Sequence, residues 1–147
     1  MEIIAKSASG TKRTAALLAK KVKEQPLSKV ALIIALEGNL GSGKTTFVQG
    51  LAEELGVKEN VLSPTFVIQK DFPLSLKNFQ NLYHIDAYRL KNYKELLDLG
   101  FADLIKNPEN LIIIEWADKV RKILPRDIIK IKFENLGGNK RKIIIYF

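Results

Sequence analysis

A three-layer α/β fold, with a mixed, mostly parallel sheet closed by a C-terminal antiparallel hairpin, is predicted for this chain by three observations. From Val30 to Leu36 the sequence is almost wholly apolar, as in a strand buried on both faces of a parallel sheet. The glycine-rich run Gly38-Asn39-Leu40-Gly41-Ser42-Gly43-Lys44-Thr45-Thr46 follows directly, and Phe47, Val48, Leu51, Ala52 and Leu55 then repeat at helical spacing up to Gly56, a helix stop. Near the end the pattern changes. Asp127 to Glu134 alternates as a half-buried strand, Gly137-Gly138-Asn139 supplies a turn, and Lys142 to Phe147 pairs back as a second strand.

The remaining elements follow in order. Ser9 or Thr11 caps a first helix running to about Val22, with Ala15, Leu18, Ala19 and Val22 on one face. Pro26 separates this helix from the first core strand. After the glycine-rich loop and its helix, Ser63-Pro64-Thr65 punctuates the chain, and Phe66 to Gln69 reads as a short strand. Ser75 to Asn81 is polar and reads as a connection; Asn81 to Ile85 is a strand ending at Asp86. Tyr93 to Ile105 is helical in pattern, with Leu96, Leu97, Leu99 and Leu104 apolar and a break at Gly100. Leu111 to Ile114 is a buried strand that ends in Glu115.

Length and composition bound the chemistry. At 147 residues the chain is expected to form one domain, 1–147, with no room for a second substrate domain. It has no cysteine, so thiol catalysis, thiolate metal sites and disulfides are excluded. The longest apolar run falls short of a membrane span and the N-terminus lacks a signal-peptide core, so a cytoplasmic protein is expected. The formal charge of +8, dense in Lys12, Arg13, Lys20, Lys21 and Lys23 and again from Lys119 to Lys142, favours anionic partners, RNA among them. Solvated lysine-rich faces account for it equally well.

The glycine-rich run fits the phosphate-binding pattern G-x-x-x-x-G-K-[ST] at every fixed position, in the strand–loop–helix context that the pattern requires. Gly38, Gly41 and Gly43 let the backbone wrap a polyphosphate so that successive N–H groups and a helix N-terminus face the anion. Lys44 brings a point charge to the outer phosphates, and the Thr45 hydroxyl can complete the shell of a Mg²⁺ ion that keeps several waters. A P-loop NTPase-like domain that binds a nucleoside triphosphate is therefore expected, with Gly38 to Thr46 as the nucleotide-binding segment.

Such a loop needs acids from elsewhere. Glu115 emerges at the C-terminal end of a core strand, where open α/β sheets bind ligands, and is the candidate second ligand to Mg²⁺. Asp86 occupies the same position on its own strand and is the candidate for orienting or deprotonating water; a cap on the segment before Tyr88 is the alternative. His84 shares the face of Asp86 and is kept as a supporting residue, although a strand histidine is more often simply packed. Arg89 can clamp phosphate or form a surface ion pair. Thr65 lies where a nucleotide-sensing loop would sit, or in an ordinary X-Pro turn. Trp116 can pack on a ligand or partner, or anchor the interior.

No N-K-x-D or T-K-x-D guanine-reading segment occurs, so ATP is favoured over GTP. A small-metabolite kinase, with little chain left for an acceptor pocket and lid, is the alternative; a basic nucleotide-gated RNA binder is a third reading. Taken together, Thr11 in the first helix, the loop from Leu36 to Thr46, Ser63-Pro64-Thr65-Phe66, His84-Ile85-Asp86-Ala87-Tyr88-Arg89-Leu90, Asp98-Leu99-Gly100, Ile114-Glu115-Trp116 and Leu124-Pro125 resemble the bacterial TsaE family over nearly the whole chain. That resemblance implies a weak, partner-stimulated, Mg²⁺-dependent ATPase of the tRNA threonylcarbamoyladenosine pathway. Its partners would be TsaB and TsaD, which modify adenosine 37 of tRNAs reading codons that begin with A, and it would reset their complex between turnovers, meeting tRNA only through that complex. It further implies that Thr11 touches the nucleotide, that Lys44 and Thr45 hold phosphate and Mg²⁺, that Glu115 binds the metal, that Asp86 assists hydrolysis, and that Trp116 lies near the site. The chain departs from the commonest family pattern at Asn39, Ser42 and Ala117, where Asp, Ala and Pro are usual.

Overall fold

The strand that feeds the glycine-rich loop lies at the middle of the sheet because it is apolar on both faces. The structure, a computed structural model, describes residues 1–64 and 67–147. In chain order the elements are β1 (Glu2–Ala5), α1 (Ala8–Glu24), β2 (Leu32–Glu37), α2 (Lys44–Glu54), β3 (Gln69–Pro73), β4 (Asn81–Asp86), α3 (Tyr93–Asp98), α4 (Phe101–Lys106), β5 (Asn110–Glu115), a 3₁₀ segment (Ala117–Ile123), β6 (Ile129–Asn135) and β7 (Arg141–Tyr146). Among the described residues they form one seven-stranded sheet in the order β1-β7-β6-β2-β5-β4-β3.

The sheet is mixed. β2 runs parallel to β5 and β6, and β4 runs parallel to β5, so the centre is parallel. The edges are antiparallel: β3 on β4, β7 on β6, and β1 on β7. Pro73, which has no N–H to give to a ladder, ends β3 on the outermost strand, where that loss costs least.

Side-chain alternation assigns the two faces. Ile34, Leu36, Leu82, Leu111, Ile113 and Ile131 pack with Ala15, Leu18, Ala19, Phe47, Val48 and Leu51 of α1 and α2. Ile33, Ala35, Ile85, Ile112 and Ile114 pack on the opposite face with Leu96, Phe101, Ala117 and Val120. This is the three-layer arrangement the alternating strand and helix patterns imply. Helices α1 and α2 cross so closely at Gly50 that a Cβ there would stand 2.7 Å from the Lys12 Cα.

Several expectations are corrected at their edges. The first helix is capped by Ser7, earlier than Ser9 or Thr11: Ser7 is extended and its hydroxyl accepts from the Gly10 N–H at 3.0 Å. β1 lies ahead of it, in a stretch too short to show alternation. The core strand starts at Leu32, with Val30 exposed. The short strand expected over Phe66 to Gln69 begins instead at Gln69 and runs on to Pro73; Phe66 and Thr65 lie outside the described residues. The break expected at Gly100 in the helical stretch from Tyr93 is present: Gly100 takes φ +89° and so cannot continue α3. No helix among the described residues is long and apolar enough to cross a membrane.

Candidate functional site

Strands β2, β4 and β5 end together, and residues at or just beyond their ends help to line a cavity of about 300 Å³ formed by the loop from Leu40 to Thr46 with Ser63, Asp86, Tyr88, Glu115, Trp116 and Arg141. This is the crevice outside the carboxyl ends of the strands that open α/β sheets use for ligands. The loop reaches it by turning sharply after β2. A Cβ on Gly38 would stand 2.7 Å from the Ser42 Oγ and 2.9 Å from the Phe133 carbonyl, so no side chain fits there. Gly43, at φ +97°, then starts α2 and leaves the N-terminal N–H groups of that helix directed at the cavity, an arrangement suited to an anion.

Lys44 is folded back onto its own loop. Its Nζ donates to the carbonyls of Gly38 at 2.6 Å and Asn39 at 2.9 Å, and reaches the Ser42 Oγ at 3.3 Å. The same ammonium lies 4.3 Å from the centre of the Trp116 ring. Burial pushes the lysine below its ordinary value, and the negative charges of Glu115, Asp86 and Asp118 oppose that shift. A polyphosphate would supply the anionic partner that the loop carbonyls now replace.

The two acids stand side by side, because β4 and β5 pair in parallel with Asp86 opposite Glu115. Glu115 Oε1 accepts from the Thr45 Oγ1 at 3.0 Å, which joins the first turn of α2 to the end of β5. Asp86 Oδ1 accepts from the Tyr88 N–H at 2.9 Å, and its Oδ2 accepts from the Ser63 hydroxyl at 3.2 Å. The capping and the functional readings of Asp86 are therefore compatible: one oxygen ties the turn and the carboxylate still borders the cavity. The third strand-end acid, Glu37, is drawn outward to Arg121 at 3.1 Å and Lys130 at 3.3 Å.

Trp116 is half-buried and lines the cavity, with its ring 4.9 Å from that of Tyr88. It holds a left-handed backbone at φ +58°, which costs a non-glycine residue about 1–3 kcal/mol and turns the chain from β5 into the 3₁₀ segment starting at Ala117. Leu40, at the loop tip, is 75% exposed. Thr46 borders the cavity, whereas Gly38 and Asn39 contribute through the carbonyls that hold Lys44. His84 lies beneath the cavity floor, its Nε2 2.6 Å from Glu115 Oε2. Two expected residues stand apart from the lining: Thr11 is buried in α1, where its N–H donates to the Ser7 carbonyl, and Arg89 is exposed beyond β4. Thr65 lies outside the described residues.

Arg141 was not legible beforehand. It sits among the basic residues after the Gly137-Gly138 turn, and only the pairing of β6 with β7, Asn135 opposite Arg141, carries it to the cavity. Its guanidinium donates to the Gly41 carbonyl at 3.0 Å, to Gly138 at 2.6 Å and to the Asn135 side chain at 3.1 Å. Tyr88 is legible in the sequence only as part of its motif.

Fold and loop together define a phosphate-loop α/β protein. The sequence model of the family described as "Threonylcarbamoyl adenosine biosynthesis protein TsaE" matches residues 5–143. Among proteins named "tRNA threonylcarbamoyladenosine biosynthesis protein TsaE", that of Rickettsia felis is 37% identical over 132 residues, which are 89% of this chain and 71% of the relative. The Treponema pallidum protein of the same name is 30% identical over 145 residues, 99% of both chains. The crystal structure of YdiB from Bacillus subtilis superposes with a TM-score of 0.69 at 29% identity, covering 97% of this chain and 82% of that one. The chain belongs to the TsaE family.

Proposed function

We propose that this protein acts in tRNA threonylcarbamoyladenosine biosynthesis as a Mg²⁺-dependent ATPase, and that its hydrolysis resets a TsaB–TsaD complex between turnovers. The observation that carries the reading is the convergence on one cavity of the phosphate loop, the Thr45–Glu115 pair and Asp86. Family membership and the relatives' shared name support the pathway.

The residues fit the cation that the loop implies. A hydroxyl and a carboxylate oxygen, already 3.0 Å apart, are hard donors. Mg²⁺ commonly takes one or two such protein oxygens and completes an octahedron with phosphate and water. Bound there, Mg²⁺ would neutralise charge developing on the phosphate oxygens. Thr45 and Glu115 would hold it. Lys44 would exchange its loop carbonyls for the outer phosphates. The N–H groups of the loop and the start of α2 would cradle the chain of phosphates. Asp86, fixed by Ser63 and Tyr88, would orient the attacking water.

The test is ATP turnover by the purified protein with and without TsaB and TsaD, with Glu115→Ala as control. Stimulation by the pair that disappears in the variant is expected. Phosphoryl transfer to a small acceptor without any protein partner would overturn the reading in favour of a kinase.

A further inference from the structure

Glu115 is held from two sides, and only one of them belongs to the phosphate loop. Oε1 accepts from Thr45 Oγ1, while Oε2 lies 2.6 Å from Nε2 of His84. The second contact is wholly interior, the His84 and Glu115 side chains being 0% and 3% exposed. It follows from register. His84 pairs with Ile113 on the neighbouring parallel strand, two residues below Glu115 on the same face of the sheet, so the imidazole reaches up to the carboxylate from beneath the cavity. The other ring nitrogen, Nδ1, is buried with no hydrogen-bond partner among the described residues. A buried polar atom without a partner costs stability, so a position that needed only packing would be served better by leucine. The imidazole is placed for its Nε2.

We propose that His84 is a positioning residue for the cation site: its Nε2–H fixes the Glu115 carboxylate so that Oε1 stays beside Thr45 Oγ1, where the two oxygens bind Mg²⁺ together. The inference rests on the assignment of Thr45 and Glu115 as the protein's Mg²⁺ ligands. Without His84 the carboxylate keeps only the Thr45 hydroxyl of these two partners and can turn towards Lys44, whose charge it already feels. Hydrogen bonds that orient a metal ligand from behind change metal affinity by about 10- to 100-fold.

The experiment is an equilibrium titration of Mg²⁺ into protein holding a fluorescent ATP analogue, for wild type and for His84→Leu, His84→Asn and His84→Gln, with the analogue's affinity also measured in EDTA. The leucine variant removes the donor and the asparagine variant draws it back out of reach of Glu115, and their Mg²⁺ half-saturation should rise about 10- to 100-fold while affinity in EDTA stays at the wild-type value. Glutamine, whose amide nitrogen falls close to the place of Nε2, should restore most of the loss. If leucine does not fold, the two amide variants decide, since both are polar and only glutamine reaches Glu115. Unchanged half-saturation in the leucine and asparagine variants, or an equal loss of metal-free affinity in all three, overturns the assignment of His84. A wild type whose nucleotide binding ignores Mg²⁺ overturns the ligand assignment itself, and His84 with it.

Discussion

Gly50→Ala sets two known effects against each other at the α1–α2 crossing. Gly50 lies inside α2, where alanine is preferred over glycine by about 1 kcal/mol, so local propensity alone raises stability. The crossing opposes it. The new Cβ would stand 2.7 Å from Lys12 Cα, 2.9 Å from its Cβ and 3.0 Å from its carbonyl oxygen, all atoms that move only with the helix. Restoring ordinary contact near 3.5–4.0 Å parts the helices by about 1 Å, and a gap of that size forfeits roughly a quarter to a half of the dispersion energy across it. Ala15, Ala19, Phe47, Val48 and Leu51 share the layer that would open. Overpacking costs about 1–3 kcal/mol, and immovable backbone neighbours place this case near 3. The net loss is about 2 kcal/mol, which for a chain of this size lowers Tm by about 4–8 °C. Thermal unfolding followed by circular dichroism measures it. A Tm equal to or above wild type would refute the reasoning, because propensity would then have outweighed the crossing.

Burial holds Lys44 below the ordinary 10.5, so its charge weakens the folded state at every pH below its folded value, and the penalty fades as pH rises to 10.5. The Tm of the nucleotide-free wild type relative to Lys44→Met should therefore rise as pH approaches 10.5, while ATP turnover is lost in the variant; parallel melts and phosphate-release assays check both. Trp116 is the single tryptophan and its ring lies 4.3 Å from the Lys44 ammonium, so ATP that draws Lys44 away should shift its emission. Identical spectra with and without saturating ATP would contradict that rearrangement. Arg141→Ala removes the guanidinium that grips the Gly41 carbonyl, a charge-assisted bond of about 1.5–3 kcal/mol that holds the loop in shape, and ATP binding should weaken by about tenfold if the loop loses the lower of those values in pre-organisation. Calorimetry would find unchanged affinity if Arg141 served only the Gly137-Gly138 turn.

The sequence was most legible where the chemistry is contiguous. Gly38 to Thr46 could be assigned because strand, loop and helix are neighbours along the chain and each has its own residue pattern. Glu115 could be placed because it ends a run of apolar residues, and Asp86 because it closes a short strand pattern. Their partners were another matter. Ser63 was visible only as part of a turn motif, and Thr11, which the family resemblance put against the nucleotide, stands buried in α1 away from the cavity lining.

The glycine-rich loop, the two strand-end acids, the alternation that makes three layers, and the family could all be read along the chain, since they rest on local pattern or on ordered motifs. Folding alone brings Arg141 to the loop from 100 positions away, sets Trp116 beside Lys44 and turns His84 to Glu115. Those contacts depend on which strands pair and in what register, and a single-residue slip would turn each side chain to the opposite face of the sheet.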